Sequence, residues 1–233
     1  MPILHTIEEL RSFAARNSGK RFGIAKAWER EEFAKRLAKG RQMDRDGTWG
    51  VSSDASLEHI SNEVYHLDLL GEICNHQAKR KKGYTFLDLG GGAGKLSAEV
   101  ARKIDKKVTV LVTGITRNNR WKHQINAQRI RPIVTHTEQL SKRVPLNSVD
   151  FINASYSILH SQHIMAALEE CRLVLKKGGR IIFNMGSRST GFENPTQFQN
   201  PPKGFKFVMP PKEVLVKRGT LGFEDTIIYL KKI

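Results

Sequence analysis

The 233-residue sequence predicts an α/β fold: a mostly parallel sheet of six to seven strands flanked by helices, with an N-terminal helical extension. Three observations predict it. From residue 84 onward, short β-branched and aromatic runs alternate with segments of helical period. The first of these runs ends in a glycine cluster that opens a helix. Further on, a helical stretch stops at Gly178-Gly179 and gives way to another apolar run. Helical connections between successive parallel strands place helices on both faces of the sheet.

The elements follow in order. Residues 6–17 read as a short helix, with Thr6 and Glu9 at capping-box spacing and Ile7, Leu10, Phe13 and Ala14 on one face. Residues 24–38 read as a second helix, with Ile24, Trp28, Phe33 and Leu37 opposite a charged side; residues 39–53 have the composition of a loop. A third helix begins at Asp54 as N-cap and carries Leu57, Ile60, Val64, Leu67 and Cys74 on a stripe widened by Leu70 and Ile73. It ends in Lys79-Arg80-Lys81-Lys82, four cations that suit a helix C-terminus or, alternatively, a phosphate. Strands are expected at 84–89, 108–112, 132–135, 149–154, 180–185 and 225–230, and helices at 93–104, 118–130 and 162–175. Pro211 in a first turn predicts a last helix over 211–221. Residues 186–204 read as a loop at the carboxyl edge of the sheet, where long loops are commonly functional. The chain thus divides into an N-terminal helical extension, 1–82, and an α/β domain, 83–233.

Composition bounds the partners. The 39 Lys+Arg against 23 Asp+Glu give a formal net charge of +16. Such a field attracts nucleic acid, acidic protein segments or anionic membrane surfaces, or is simply a basic surface. The two cysteines, Cys74 and Cys171, lie in apolar helical patterns and read as buried free thiols. No spacing of Cys and His suggests a metal site. The first ten residues lack the pattern of a signal peptide, and no apolar stretch reaches the roughly 18 residues of a transmembrane segment. A reducing, cytoplasmic setting is expected.

Asp88-Leu89-Gly90-Gly91-Gly92-Ala93-Gly94-Lys95-Leu96-Ser97 is the segment that carries chemistry. Glycines between strand and helix let the backbone turn sharply and a ligand approach closely. A dinucleotide loop needs glycine at its first, third and sixth positions; counted from Gly90, the sixth is Lys95. A phosphate loop of the Walker type needs Gly-Lys-Ser/Thr, and here Leu96 follows Gly94-Lys95. The acid at 88 followed by Gly90, Gly92 and Gly94 instead resembles the cofactor motif of class I (Rossmann-like) methyltransferases that use S-adenosyl-L-methionine. The physical logic agrees with that resemblance. A carboxylate of the cofactor can meet backbone N–H groups at the helix start, and Asp88 can offset its ammonium directly or through water. The plainer alternative is a tight turn without a ligand.

Downstream segments extend the resemblance over about residues 83–230. Most of the family place an acid after the second strand to bind ribose. Here Gly114-Ile115-Thr116 is similar to cyclopropane-fatty-acid-synthase-like members, which makes Thr116, with Trp121 one turn further, the ribose candidate. His136 stands where the family commonly has the acid nearest the adenine, with Thr137 or Glu138 as the neighbour that makes the contact; a solvated Glu138 is the alternative. Asn153-Ala154-Ser155-Tyr156 is similar to the Asn-Pro-Pro-Tyr signature of amino-methylating nucleic-acid enzymes but lacks both prolines; Asn153 is carried as a cofactor-side candidate. Residues 167–182, through Leu175-Lys176-Lys177-Gly178-Gly179, resemble the family's helix, Gly-Gly turn and fifth strand. The chain stops at Ile233, so a seventh strand is expected to be missing or supplied from elsewhere.

Catalytic and substrate groups of this family cluster just past the fourth strand, which singles out Tyr156 and His160 as acceptor-facing candidates. Methyl transfer from a sulfonium is an in-line displacement that relies on proximity and orientation, so the lack of an obvious general base does not weigh against it. The resemblance implies a methyltransferase with the 1–82 extension and the 186–206 loop covering the site. Three readings of the acceptor follow: nucleic acid, drawn by charge; a protein, small-molecule or lipid acceptor; or a catalytically silent binding module.

Overall fold

The computed structural model describes residues 55–80, 83–105, 107–115, 130–158, 161, 164–186, 198–218 and 221–233, with three single positions before them. The expected helices over 6–17, 24–38 and 118–130, and most of the 186–204 loop, lie outside the described residues.

Described elements run α1 (Leu57–His59), a π-helical turn (Ile60–Tyr65), α2 (Leu69–Ala78), β1 (Tyr84–Asp88), α3 (Lys95–Lys103), β2 (Val108–Gly114), β3 (Ile130–Val134), a 3-10 turn (Thr137–Lys142), β4 (Val149–Ala154), α4 (Ile164–Val174), β5 (Leu175–Gly186), β6 (Phe205–Arg218) and β7 (Leu221–Lys232). They build one seven-stranded sheet in the order β3-β2-β1-β4-β5-β7-β6. β1 to β5 pair in parallel, and β7 runs antiparallel to β5 and to β6. Every residue of β4 is buried, as a central parallel strand covered on both faces requires. Phe86, Phe151 and Phe183 fill the middle of the sheet, with Phe86 and Phe151 stacked at 6.2 Å between ring centroids.

Several expectations are corrected. The helix predicted from Asp54 is broken: Asp54 lies outside the described residues, Ser56 caps α1, and the chain turns through the left-handed His66 (φ 48°) before Asp68 caps α2. An Asp inside an apolar stripe accepted Gly71 N–H at 2.9 Å and started a second helix. The offset between the two pieces buries Ile60, Val64, Leu69 and Ile73 but leaves Cys74 exposed, while Cys171 is buried as expected.

The helix predicted over 211–221 is instead part of the β6–β7 hairpin. Phe205, Phe207 and Met209 turn toward the core while Lys206, Val208 and Pro210 are exposed, the period of two that a strand needs. Pro210 and Pro211 sit at the irregularity where pairing with β7 jumps from Met209↔Tyr229 to Lys212↔Ile227. Prolines are tolerated on an edge strand because the missing N–H is not needed there. This hairpin also supplies, from the chain itself, the seventh strand that is expected to be missing or to come from elsewhere. Gly178 (φ 75°) and Gly179 do not stop the helix as expected: α4 ends at Val174 and β5 begins at Leu175, and the glycines form the irregularity between the Val149↔Leu175 and Phe151↔Arg180 pairings.

Candidate functional site

β1 and β4 are neighbours although their chain connections leave in opposite directions across the sheet. Such a switch point opens a crevice at the carboxyl ends of the strands. Asp88, the last residue of β1, lies opposite Val112 of β2 and Asn153 of β4, so three strand ends meet there.

The glycine segment turns over this edge. Gly90, Gly92 and Gly94 hold φ of 70°, 52° and 85°, left-handed values that other residues adopt only at a cost. Its backbone is anchored from both sides. Thr113 Oγ1 accepts Gly90 N–H at 2.9 Å and Thr113 O accepts Gly91 N–H at 3.0 Å, while Asn153 O accepts Leu89 N–H at 2.8 Å. Gly94 then starts α3 with no side-chain cap, leaving the first-turn N–H groups at the positive end of a nine-residue helix.

Asp88 is buried beneath the loop, 1% exposed. Ser97 Oγ donates to its Oδ2 at 2.7 Å and Asn153 Nδ2 to its Oδ1 at 2.9 Å. Burial pushes this carboxyl above the usual carboxylate range, with the Asn153 and Ser97 bonds pulling the other way. Its oxygens point into the protein, so Asp88 holds the loop from below. Tyr65, from the π-helical turn, donates to Asn153 Oδ1 at 2.8 Å. Burial, and then the charge of Asp88, raise the Tyr65 phenol well above its usual range.

Tyr156, two residues past β4, is buried with a left-handed backbone (φ 56°). Its N–H donates to Asn184 Oδ1 at 2.8 Å, and Asn184 Nδ2 donates to Asp225 Oδ2 at 2.7 Å. A non-glycine residue in that region costs about 1–3 kcal/mol and is held by its surroundings, a pattern that clusters at functional sites. Ser157 packs against Gly90, where an added Cβ would lie 2.6 Å from its own. The hydroxyls of Ser157 and Ser161 are buried without a hydrogen-bond partner among the described residues.

His136 and Glu138 lie after β3. The His136 ring accepts Glu138 N–H at 3.4 Å, its Nδ1 stands 3.6 Å from Glu138 Oε2, and Thr137 opens the 3-10 turn. Thr116, Trp121 and His160 lie outside the described residues, although β2 ends two positions before Thr116. Asp88, the glycines, Asn153 and Tyr156 are therefore brought together, with His136 to Glu138 on the neighbouring strand end. Ser97, Thr113, Asn184 and Tyr65 were not foreseen. Ser97 alone carried a local signal, a hydroxyl in the first turn of the helix that follows the glycines.

The arrangement fits the amino-acid end of S-adenosyl-L-methionine. Left-handed glycines, an uncapped helix start and an unpartnered hydroxyl beside them offer donors to a carboxylate and backbone room for a close ligand. No cluster of metal-ligating side chains occurs among the described residues. A cleft of about 410 Å³, lined in part by Cys74, Arg80, Tyr84 and Lys107, opens at the opposite edge, where β1 and β2 begin. None of the expected site residues line it.

Comparison with known proteins points the same way. Residues 87–183 match the methyltransferase domain family. The chain is 30% identical over 111 residues to a ubiquinone/menaquinone biosynthesis C-methyltransferase of Paraburkholderia phymatum, covering 46% of this chain and 44% of that protein. It is 26% identical over 156 residues to a sarcosine/dimethylglycine N-methyltransferase of Aphanothece halophytica, covering 66% of this chain and 53% of that protein. The matched stretch thus spans about half the length of these curated relatives. In fold, it is similar to the crystal structure of Burkholderia thailandensis 1,6-didemethyltoxoflavin-N1-methyltransferase, with a TM-score of 0.60 and 15% identity over 91% of this chain and 92% of that one. Over residues 87–183 the chain thus carries a methyltransferase domain, and its glycine loop and sheet order are those of the class I, Rossmann-like fold of S-adenosyl-L-methionine-dependent methyltransferases.

Proposed function

We propose that this chain transfers a methyl group from S-adenosyl-L-methionine to a small-molecule acceptor. The observation that carries the reading is the left-handed glycine loop leading into the uncapped start of α3 at the switch point of the sheet. The bound cofactor supplies an electrophilic methyl group on a sulfonium. Gly90, Gly92 and Gly94 give the turn its left-handed shape and let the cofactor approach, and the first-turn N–H groups of α3 hold its carboxylate. Asp88 and Asn153 support the loop from below, and a negative charge on Asp88 beneath the loop would favour an ammonium at this edge of the sheet. Thr116 takes the ribose, and His136, Thr137 and Glu138 take the base. Tyr156 and His160 face the acceptor and orient it for in-line attack; residues 1–82 and the segment after β5 cover the site and keep water out.

The acceptor class is supported by the two curated relatives, which are named for ubiquinone/menaquinone biosynthesis and for sarcosine/dimethylglycine. A polyanionic acceptor such as RNA is a second reading, favoured by the net charge of +16. No helix among the described residues is long and apolar enough to cross a membrane, and both cysteines are free thiols. A reducing cytoplasmic setting belongs to the same proposal.

Titration calorimetry with S-adenosylhomocysteine tests the cofactor reading: binding in the micromolar range is expected, and none would leave a methyltransferase-like module without its cofactor. Incubation with methyl-labelled cofactor and cell extract separates the acceptors. Label should enter the small-molecule pool; label in RNA would establish the second reading in its place.

A further inference from the structure

We propose that Tyr65 is a positioning residue of the cofactor site, its hydroxyl holding the glycine loop in its binding form through Asn153 and Asp88. The inference rests on the cofactor reading given above. Three hydrogen bonds form one chain: Ser97 to Asp88 at 2.7 Å, Asn153 to Asp88 at 2.9 Å and Tyr65 to Asn153 at 2.8 Å. Its direction is set by chemistry. An ionised carboxylate only accepts, so Asn153 turns its NH₂ to Asp88 and its carbonyl to Tyr65, and Tyr65 must donate. All four side chains are at most 1% exposed, so water cannot replace a lost link.

The loop leans on this chain at two points. Asn153 holds Leu89 N–H through its main-chain carbonyl while its side chain grips Asp88. A Cβ at Gly91 would stand only 2.4 Å from Asp88 Oδ2, so the loop backbone rests on that carboxylate. Rotation of the Asn153 amide would therefore release Asp88 and unseat the loop. Tyr65 opposes rotation, with Ser155 Oγ accepting from Asn153 Nδ2 at a longer 3.3 Å, and Tyr65 comes from a segment 88 residues away in sequence. It closes a π-helical turn followed by the left-handed His66, a rare local geometry that recurs at functional sites. The order of the N-terminal segment and the shape of the cofactor loop are thereby coupled.

The test uses the full chain, Tyr65→Phe, and Tyr229→Phe as a control. Tyr229 is also a buried phenol with polar partners, Glu72 and Arg180, but it does not touch the chain of bonds under the loop. S-Adenosylhomocysteine affinity is measured by calorimetry well below the melting temperature. Hydrogen exchange of residues 89–94 is followed in the ligand-free protein. Tyr65→Phe should weaken binding about tenfold, the scale of one buried hydrogen bond to a polar network, and speed exchange in 89–94. Tyr229→Phe should leave both within about twofold, the scatter of near-neutral changes, even where it lowers the melting temperature equally. Tyr65→Phe binding within twofold of the parent, or equal loosening by both variants, overturns the proposal. A parent protein that binds no S-adenosylhomocysteine overturns the cofactor reading instead, and the exchange of residues 89–94 then decides alone whether Tyr65 holds the loop.

Discussion

Gly91→Ala isolates the packing beneath the glycine loop, because Gly91 is not in the left-handed region and its backbone tolerates alanine. The added methyl would stand 2.4 Å from Asp88 Oδ2, 2.7 Å from Asp88 Cγ and 2.7 Å from Val112 Cγ2. A carboxylate is normally a cheap neighbour to displace. Here it is fixed by Ser97 and Asn153, so moving it lengthens both bonds. Overpacking costs about 1–3 kcal/mol and a weakened hydrogen bond to a charged group about 1.5–3, which sets the expected loss near 3 kcal/mol. For a domain of this size that lowers Tm by roughly 6–12 °C. Urea unfolding with an unchanged m-value would measure it. In an Asp88→Ala background the carboxylate is gone, and Gly91→Ala should cost about 1–2 kcal/mol less than in the parent, a non-additivity expected of contacting residues. A loss below about 0.5 kcal/mol in the parent, or equal losses in the two backgrounds, would refute the claim that the loop rests on Asp88.

Asn184→Ala removes the acceptor of Tyr156 N–H and a donor to Asp225, and should destabilise by about 2–3 kcal/mol in urea while weakening S-adenosylhomocysteine binding, since the left-handed Tyr156 loses its restraint. His76 is buried, its Nδ1 3.0 Å from Tyr84 Oη and its Nε2 3.1 Å from Gly178 O. Burial lowers its pKa from 6.5 to about 4. The unfolded chain binds the proton more readily, so stability should hold above pH 6.5, fall as the pH drops toward 4 and level off below; His76→Gln should flatten that part of the pH profile. Asp150, 1% exposed, accepts from Lys176 Nζ at 2.6 Å and Thr85 N–H at 2.9 Å at the opposite edge of the sheet. Asp150→Ala should cost about 3 kcal/mol of stability and leave S-adenosylhomocysteine affinity within twofold, because it lies away from the loop.

The sheet was legible because its signals are local. The runs ending at Asp88 and Ala154 are bounded by turn residues, and the helical stripe before Gly178-Gly179 ends at Val174, one residue from the expected end at 175. The glycine loop was legible for the same reason, since φ of 52–85° at alternate positions leaves few residues to choose from. What escaped was set by distant partners. Pro211 reads as a helix start until β7 offers Val214 and its neighbours a strand to pair with. Asp68 reads as one polar position in an apolar stripe until it caps α2. Tyr65, Ser97 and Asn184 are ordinary polar residues in sequence; they matter because the fold buries them against Asn153, Asp88 and Tyr156. Period announces which face is buried but not which hydroxyl meets which carboxylate.

Prolines stand on both outermost strands: Pro132 in β3, and Pro210 with Pro211 in β6. A sheet edge recruits another strand by offering an unbroken row of N–H and C=O groups. Here neither margin can, because each has donors missing near its middle, and the exposed Arg131, Lys206 and Lys212 beside them repel a second basic chain. Protein copies meeting side by side during synthesis or at high concentration would find no template for extending the sheet. The same residues that made β6 hard to recognise as a strand thus guard the fold against edgewise aggregation.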